Sequence, residues 1–404
     1  MKIVYVVLTL MAVGFLAGSF YISYDVLSQG STDLYPTWKA AQLFWKENVN
    51  PYDERIGQES QETIYGRPAK ENEDEFQFVY PFYSIFHIGP LALLEFQWAA
   101  AIYIEVLLIG LLAAMALSLN MIHWLPSPIV LAVLLLFTLL GYFTVRGLLL
   151  AQPGFLVYIF HLMALWAIAK NRDTLAGVML AFSTLKPQNS FLVVPLVLLW
   201  AFVIHRRRIL TAFAGVFASL LVVSFILEPD WFDSWLDRVT GYAGYAATYP
   251  TAYILADIFP EPLDTVLYGV FSGLLVLFML NFWKALLWDG DTNNLWWVFF
   301  LTATVTLMIS PRTATTSYVE MYPVLYITAM LMSHKKQIWI VVVGALVLLF
   351  GYWVLHIATV PPKSEGGAGR EARIVYVVFP VLILALLWGY RRSWPQLDST
   401  TPAG

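Results

Sequence analysis

Apolar runs of roughly 17–25 residues recur along this chain, separated by short polar stretches, and runs of that length read as helices that cross a bilayer. The pattern predicts spans at 3–24, 97–118, 128–147, 153–169, 174–186, 190–204, 209–227, 264–286, 295–309, 317–333, 338–357 and 373–390. Residues 81–94 are apolar too, but Pro90 interrupts them. At about 1.5 Å per residue they reach roughly 21 Å, short of the roughly 30 Å of a hydrocarbon core. Charge supports leaving them out. Lys170/Arg172, Arg206–Arg208, Lys335/Lys336 and Arg391/Arg392 flank spans and belong on the cytoplasmic side. A full crossing by 81–94 breaks that parity, so this segment is expected outside or partly embedded, packed on the first loop. Twelve helices with both termini cytoplasmic follow: an all-α polytopic membrane protein, one domain over 1–404. Lys2 precedes the first span with no small-residue cleavage site after it, which reads as a signal anchor and places Asp33 outside. No internal repeat is visible, so an inverted-repeat transporter is not supported.

The polar stretch Ser31–Pro81 dominates the first extracytoplasmic loop, 25–96. Within it Pro36–Glu47 reads as an amphipathic helix, with Trp38, Ala41 and Trp45 at helical spacing and Lys39 and Lys46 able to snorkel. Asn50-Pro51-Tyr52-Asp53 has the residue types of a turn. Glu71–Glu75 reads as solvated surface. Thr32-Asp33 precedes the helix, so Asp33 is either its N-cap or a general base just outside the membrane. A second outer loop is expected at 228–262.

Composition narrows the chemistry. The chain is 59% hydrophobic and 12% charged, about half the charge of a soluble domain. A net charge of -4 provides no basic field for nucleic acid. Cysteine is absent, which removes thiolate catalysis and Cys-based metal sites. Six His without a spacing such as HExxH predict neither a metal site nor a cofactor. The 16 Trp and 22 Tyr suit rings anchored at two lipid interfaces.

Three cations fall on the outer side of short turns, against the orientation rule: Arg146, Lys186 and Arg312. Each either snorkels to headgroups or faces a phosphate, which Arg grips bidentately and Lys as a point charge. Lys186 is the most telling. Only about 33 residues separate Arg172 from Arg206, where two full crossings need about 40. The tip Lys186-Pro187-Gln188-Asn189 should therefore be recessed among helices, where irregular backbone lines a polar cavity. Glu320, eight residues after Arg312, is placed to pair with it. Glu105, near mid-span, is expected to pair within the bundle, and His87 to pack at an interface.

These features together resemble glycosyltransferase family 87, the polyprenol-phosphate-mannose-dependent transferases. The resemblance rests on Asp33 followed by Tyr35 and Ala40-Ala41, then Asn50-Pro51-Tyr52-Asp53, then Tyr80-Pro81 and Pro90-Leu91. It continues with Gln152 before a span, Ala176-Gly177, Leu185-Lys186-Pro187, Pro195, Ser310-Pro311 and Tyr322-Pro323. The resemblance implies a GT-C fold with a structured first extracytoplasmic loop. It also implies transfer of a sugar, mannose being the expected one, from a polyprenyl-phosphate donor to a lipid or glycan acceptor with inversion. The active site would face outward from a bacterial plasma membrane. The family's catalytic acidic residue, in the first outer loop, would match Asp33, as base. Lys186, Arg312, Arg146 and Gln152 are the expected donor-phosphate ligands, and Tyr35, Tyr80, Asn189 and Glu320 the expected substrate contacts. Two departures stand out. The family often has Gly-Gln-x-Asn where this chain has Ala151-Gln152-Pro153-Gly154, and Trp and His where it has Arg312-Thr313-Ala314-Thr315. The rival reading is a lipid or sugar transporter or flippase, which needs no folded outer loop with an early carboxylate.

Overall fold

The computed structural model describes residues 14–28, 31–70, 73–242, 250–289, 294–311, 313–359 and 373–395. Arg312 lies outside the described residues. Among the described residues the regular structure is all helical. Helix α1 covers 14–28 and contains a π turn at Ser23–Leu27. Helix α2, Tyr35–Glu47, is the expected amphipathic helix. Its first turn holds Pro36, whose missing N–H costs nothing there. Asn48 ends it in the left-handed region, at φ 55°. Helix α3, Glu54–Tyr65, starts at Asp53, whose carboxylate accepts from the Arg55 N–H at 2.8 Å. Just before it, Asn50 Oδ1 accepts from the Tyr52 N–H at 2.8 Å, so the predicted turn forms and its last residue, Asp53, also caps α3.

Residues 81–94 form two 3₁₀ segments, Phe82–His87 and Gly89–Leu93. Both pack on α2, with Phe44 edge-on to Phe82 at 5.1 Å. His87 faces the Tyr103 ring at 5.7 Å. Then follow α4 (Phe96–Met121), α5 (Pro128–Leu140), α6 (Tyr142–Leu149), α7 (Gly154–Ala169), α8 (Asp173–Ser183), α9 (Pro187–Ser190), α10 (Val193–Val203) and α11 (Arg207–Leu227). The remainder are α12 (Trp231–Tyr242), α13 (Thr251–Ala256), α14 (Leu263–Asp289), α15 (Leu295–Ile309), a 3₁₀ segment Thr315–Met321, α16 (Tyr322–His334), α17 (Ile338–Thr359) and α18 (Arg373–Tyr390).

Among the described residues six helical stretches are long and apolar enough to cross a membrane: Phe96–Met121, Pro128–Leu149, Arg207–Leu227, Leu263–Trp288, Ile338–Thr359 and Arg373–Ser393. Helices α7, α8, α10 and α15 are apolar but shorter. The predicted span at 317–333 opens as 3₁₀ and becomes α-helical only from Tyr322. Pro323 falls in the first turn of α16, where it is tolerated.

The chain divides into two compact units. The first is Met1–Leu111, Arg146–Pro153 and Ser224–Tyr245. Here Glu105 accepts hydrogen bonds from Ser19 and Ser23, each at 3.0 Å, which pins α1 to α4 and satisfies a carboxylate buried in an apolar helix. Helix α12 docks on the first loop. The Arg238 guanidinium donates twice to the Tyr52 carbonyl, at 3.0 and 2.8 Å, and Trp235 Nε1 donates to the Val79 carbonyl at 3.1 Å.

The second unit is Leu112–Val145, Gly154–Val223 and Ala246–Gly404. Its centre is α15, in which every residue is buried, as a helix apolar on all sides requires. Helix α8 crosses α11 closely at Gly177, where a Cβ would overlap the Ile209 carbonyl and the Phe213 N–H. The Arg206 guanidinium pairs with Asp173 and donates to the Ile168 carbonyl at 3.2 Å. The ends marked by Arg172 and Arg206 therefore lie together, as the charge pattern predicts. Helices α8 and α10 have 11 residues each and reach about 16 Å, half of a bilayer core.

Candidate active site

Asp33 belongs to the first unit. It is not the N-cap of α2: Leu34 holds that position, with no side-chain cap. The Asp33 carboxylate is bonded on both oxygens. Gln152 Nε2 donates to Oδ2, and Thr32 Oγ1 donates to Oδ1 at 3.3 Å. Gln152 is delivered by the end of α6. Ala151 is left-handed, at φ 51°, and the N–H groups of Ala151 and Gln152 return to the carbonyls of Leu148 and Gly147 at 3.1 and 2.9 Å. That pair of bonds is a Schellman ending, which normally takes glycine at the left-handed position. This chain makes the turn with alanine. The Gln152 amide, expected at the donor phosphate, thus donates to Asp33.

Tyr80 lies near the same carboxylate. Burial, and next the negative charges of Asp33 and Asp74, hold its phenol well above the ordinary pKa. It is a neutral O–H donor at physiological pH. Tyr35 is committed to the loop core: its hydroxyl shares a hydrogen bond of 2.9 Å with Thr63, and its ring packs on Trp38 and Phe96. Arg146 is half-buried in the last turn of α6.

Lys186 belongs to the second unit. Helix α8 ends at Ser183, and Lys186 takes a non-helical conformation before Pro187 starts the single turn of α9. It is 3% exposed, so the recessed lysine expected from residue counting is found. The point where a Cβ on Gly154 would stand is 3.4 Å from Lys186 Nζ, 3.7 Å from Asn189 Nδ2 and 3.2 Å from Ser317 Oγ. One ammonium, one amide and one hydroxyl thus converge at the start of α7, in the space a side chain would otherwise fill. Among the described residues both polar atoms of Asn189 and the hydroxyls of Thr316 and Ser317 are buried without a hydrogen-bond partner. Buried polar atoms in that condition are suited to a ligand or ordered water. A cation, an amide N–H and a hydroxyl together suit an anion of phosphate size.

The expected Glu320–Arg312 pair involves a residue outside the described set. Glu320 Oε1 is hydrogen-bonded to His161 Nδ1 within the second unit. His161, Ser190 and Ser317 were not singled out from sequence. Each sits in an apolar or turn segment where no charge or spacing marks it. Among the described residues no three His, Asp or Glu side chains stand together as metal ligands would.

The family model for glycosyltransferase family 87 matches residues 78–311, more than half of the chain. No curated protein and no solved structure matches. The matched segment contains Tyr80, Arg146, Gln152, Lys186 and Asn189; Asp33 precedes it, and Ser317 and Glu320 follow it.

Proposed function

The chain belongs to glycosyltransferase family 87, and from that premise we propose that this membrane glycosyltransferase transfers a sugar from a polyprenyl-phosphate donor to a hydroxyl of a lipid or glycan. Mannose is the expected sugar. The reaction takes place on the extracytoplasmic side of a bacterial plasma membrane, in a chain of twelve spans with both termini cytoplasmic. Asp33 is the base. It removes the proton from the acceptor hydroxyl while that oxygen bonds to the anomeric carbon. The bond from that carbon to the phosphate oxygen breaks, and the polyprenyl phosphate leaves with inversion. A positioned base of this kind contributes about 10²–10⁴-fold. Gln152 and Thr32 fix the carboxylate through their hydrogen bonds to it. Lys186, Asn189 and Ser317 hold the phosphate and stabilise the charge that grows on it as the bond breaks. Arg312 and Arg146 are further candidates for that charge, and Tyr80 for a substrate hydroxyl.

The observation that carries this reading is the Asp33 carboxylate oriented by an amide from another segment of the chain. The test uses purified protein in lipid nanodiscs with a panel of synthetic polyprenyl-phosphate sugars. Lys186→Ala should raise the Kd for the donor about tenfold or more. A donor affinity equal to wild type in Lys186→Ala would remove the phosphate role.

A further inference from the structure

His161 stands seven residues after Gly154 on α7, close to two full turns, so both residues face one side of that helix. Its Nδ1 is bonded to Glu320 Oε1 and its Nε2 lies 3.3 Å from Ser190 Oγ. All three side chains are buried. A serine, a histidine and a carboxylate in this order have the layout of a nucleophilic triad. The protons argue against that role. Ser190 donates its hydroxyl proton to the Ser183 carbonyl at 2.7 Å, the shorter of its two contacts. The serine oxygen is then the acceptor for His161 Nε2–H. Nδ1 is engaged by the Glu320 carboxyl, so both ring nitrogens already have partners.

The partners of His161 adjoin the anion cluster. Ser190 directly follows Asn189 in the four-residue helix α9. Glu320 follows Ser317 by three residues in the 3₁₀ segment, the spacing at which 3₁₀ side chains eclipse one another. Both segments are too short to hold their place by their own backbone ladders. The ring itself is steadied edge-on against Phe299 of α15 at 5.7 Å. We propose that His161 is a positioning residue whose two ring nitrogens tie α9 and the 3₁₀ segment to α7, and so fix Asn189 and Ser317 beside Lys186. This role rests on reading that cluster as the donor-phosphate site.

The test measures binding of decaprenyl phosphate, the carrier without a sugar, to the full chain in nanodiscs by native mass spectrometry. His161→Leu removes both ties and should weaken binding about tenfold. His161→Asn keeps an amide near the place of Nδ1 and should restore affinity to within about threefold of wild type. Ser190→Ala, which removes the other tie, should weaken binding about threefold. In donor turnover the His161→Leu change should fall more on KM than on kcat, the mark of lost ground-state binding. A folded His161→Leu protein that binds like wild type overturns the proposal. So does a folded His161→Asn protein that binds as weakly as His161→Leu, because packing volume would then account for the loss. If His161→Leu does not fold, wild-type affinity in both His161→Asn and Ser190→Ala overturns it. Lys186→Ala separates the two readings. Unchanged binding there removes the phosphate site itself, whereas a loss there with normal binding in His161→Leu removes only the positioning role.

Discussion

Gln152 donates its side-chain N–H to the carboxylate of Asp33, across 119 residues of sequence. The bond depends on a helix ending that turns the chain through a left-handed alanine, and it sets which way a carboxylate on the first loop points. Gln152→Ala should therefore lower kcat about tenfold, as loss of one hydrogen bond to a charged group predicts, while leaving donor affinity unchanged. Steady-state kinetics alongside direct donor binding checks this. A fall in donor affinity with kcat intact would return Gln152 to the phosphate.

Gly154→Ala tests the anion cluster from the opposite side. The new methyl would stand 3.2 Å from Ser317 Oγ and 3.4 Å from Lys186 Nζ. The methyl would crowd Ser317, reach the edge of ordinary contact with Lys186 and fill the space on which these groups converge; overpacking costs about 1–3 kcal/mol. The expected outcome is a KM for donor raised several-fold in a protein that still folds, measured by turnover with thermal melting as control.

Gly177→Ala addresses the bundle alone. Its methyl would run into the backbone of Ile209 and Phe213, which cannot swing aside as a flexible side chain can. The melting temperature should fall, with a loss of about 1–3 kcal/mol, and donor affinity per folded molecule should stay the same.

The first loop has its own pH limit, because Glu73, expected as solvated surface, is buried against Arg67. Arg67 donates to both oxygens of Glu73, at 2.7 and 2.8 Å, and the Lys70 N–H adds a third bond at 2.8 Å. Those bonds, the Arg67 pair first, lower the Glu73 pKa from an ordinary 4.5 to about 2. A depressed carboxylate stabilises the fold above its unfolded pKa and loses that contribution as pH falls through its folded one. Hydrogen-exchange protection of the Lys70 N–H, corrected for intrinsic rates, should be full above pH 4.5 and decline towards pH 2. In Glu73→Gln it should be lower throughout and nearly flat with pH.

Local physics made part of this structure legible. The spacing of Trp38, Ala41 and Trp45 marks α2, and Asn50-Pro51-Tyr52-Asp53 marks the turn after it, because turns and amphipathic faces are written within a few residues. The recessed Lys186 follows from counting residues between Arg172 and Arg206, a length argument that needs no contacts. The partner of Asp33 was not legible. Whether that carboxylate caps α2 turns on one residue of helix boundary, and Leu34 takes the position. Glu320 shows the same limit: nothing in the sequence marks His161 on α7 as a partner, yet the Glu320 carboxyl bonds to it. In a chain of apolar helices the polar partners are far apart in sequence, and hydrophobic runs of similar length say nothing about which faces meet.

The role proposed for Asp33 is that of base in a glycosyl transfer. The most direct measurement follows donor consumption by mass spectrometry in nanodiscs, with polyprenyl-phosphate sugars and a crude lipid acceptor extract, for wild type and Asp33→Asn. With Asp33 as base, wild type turns donor over, Asp33→Asn loses about 10²–10⁴-fold or more, and donor binding is unchanged between the two. Turnover in Asp33→Asn close to the wild-type rate would contradict it.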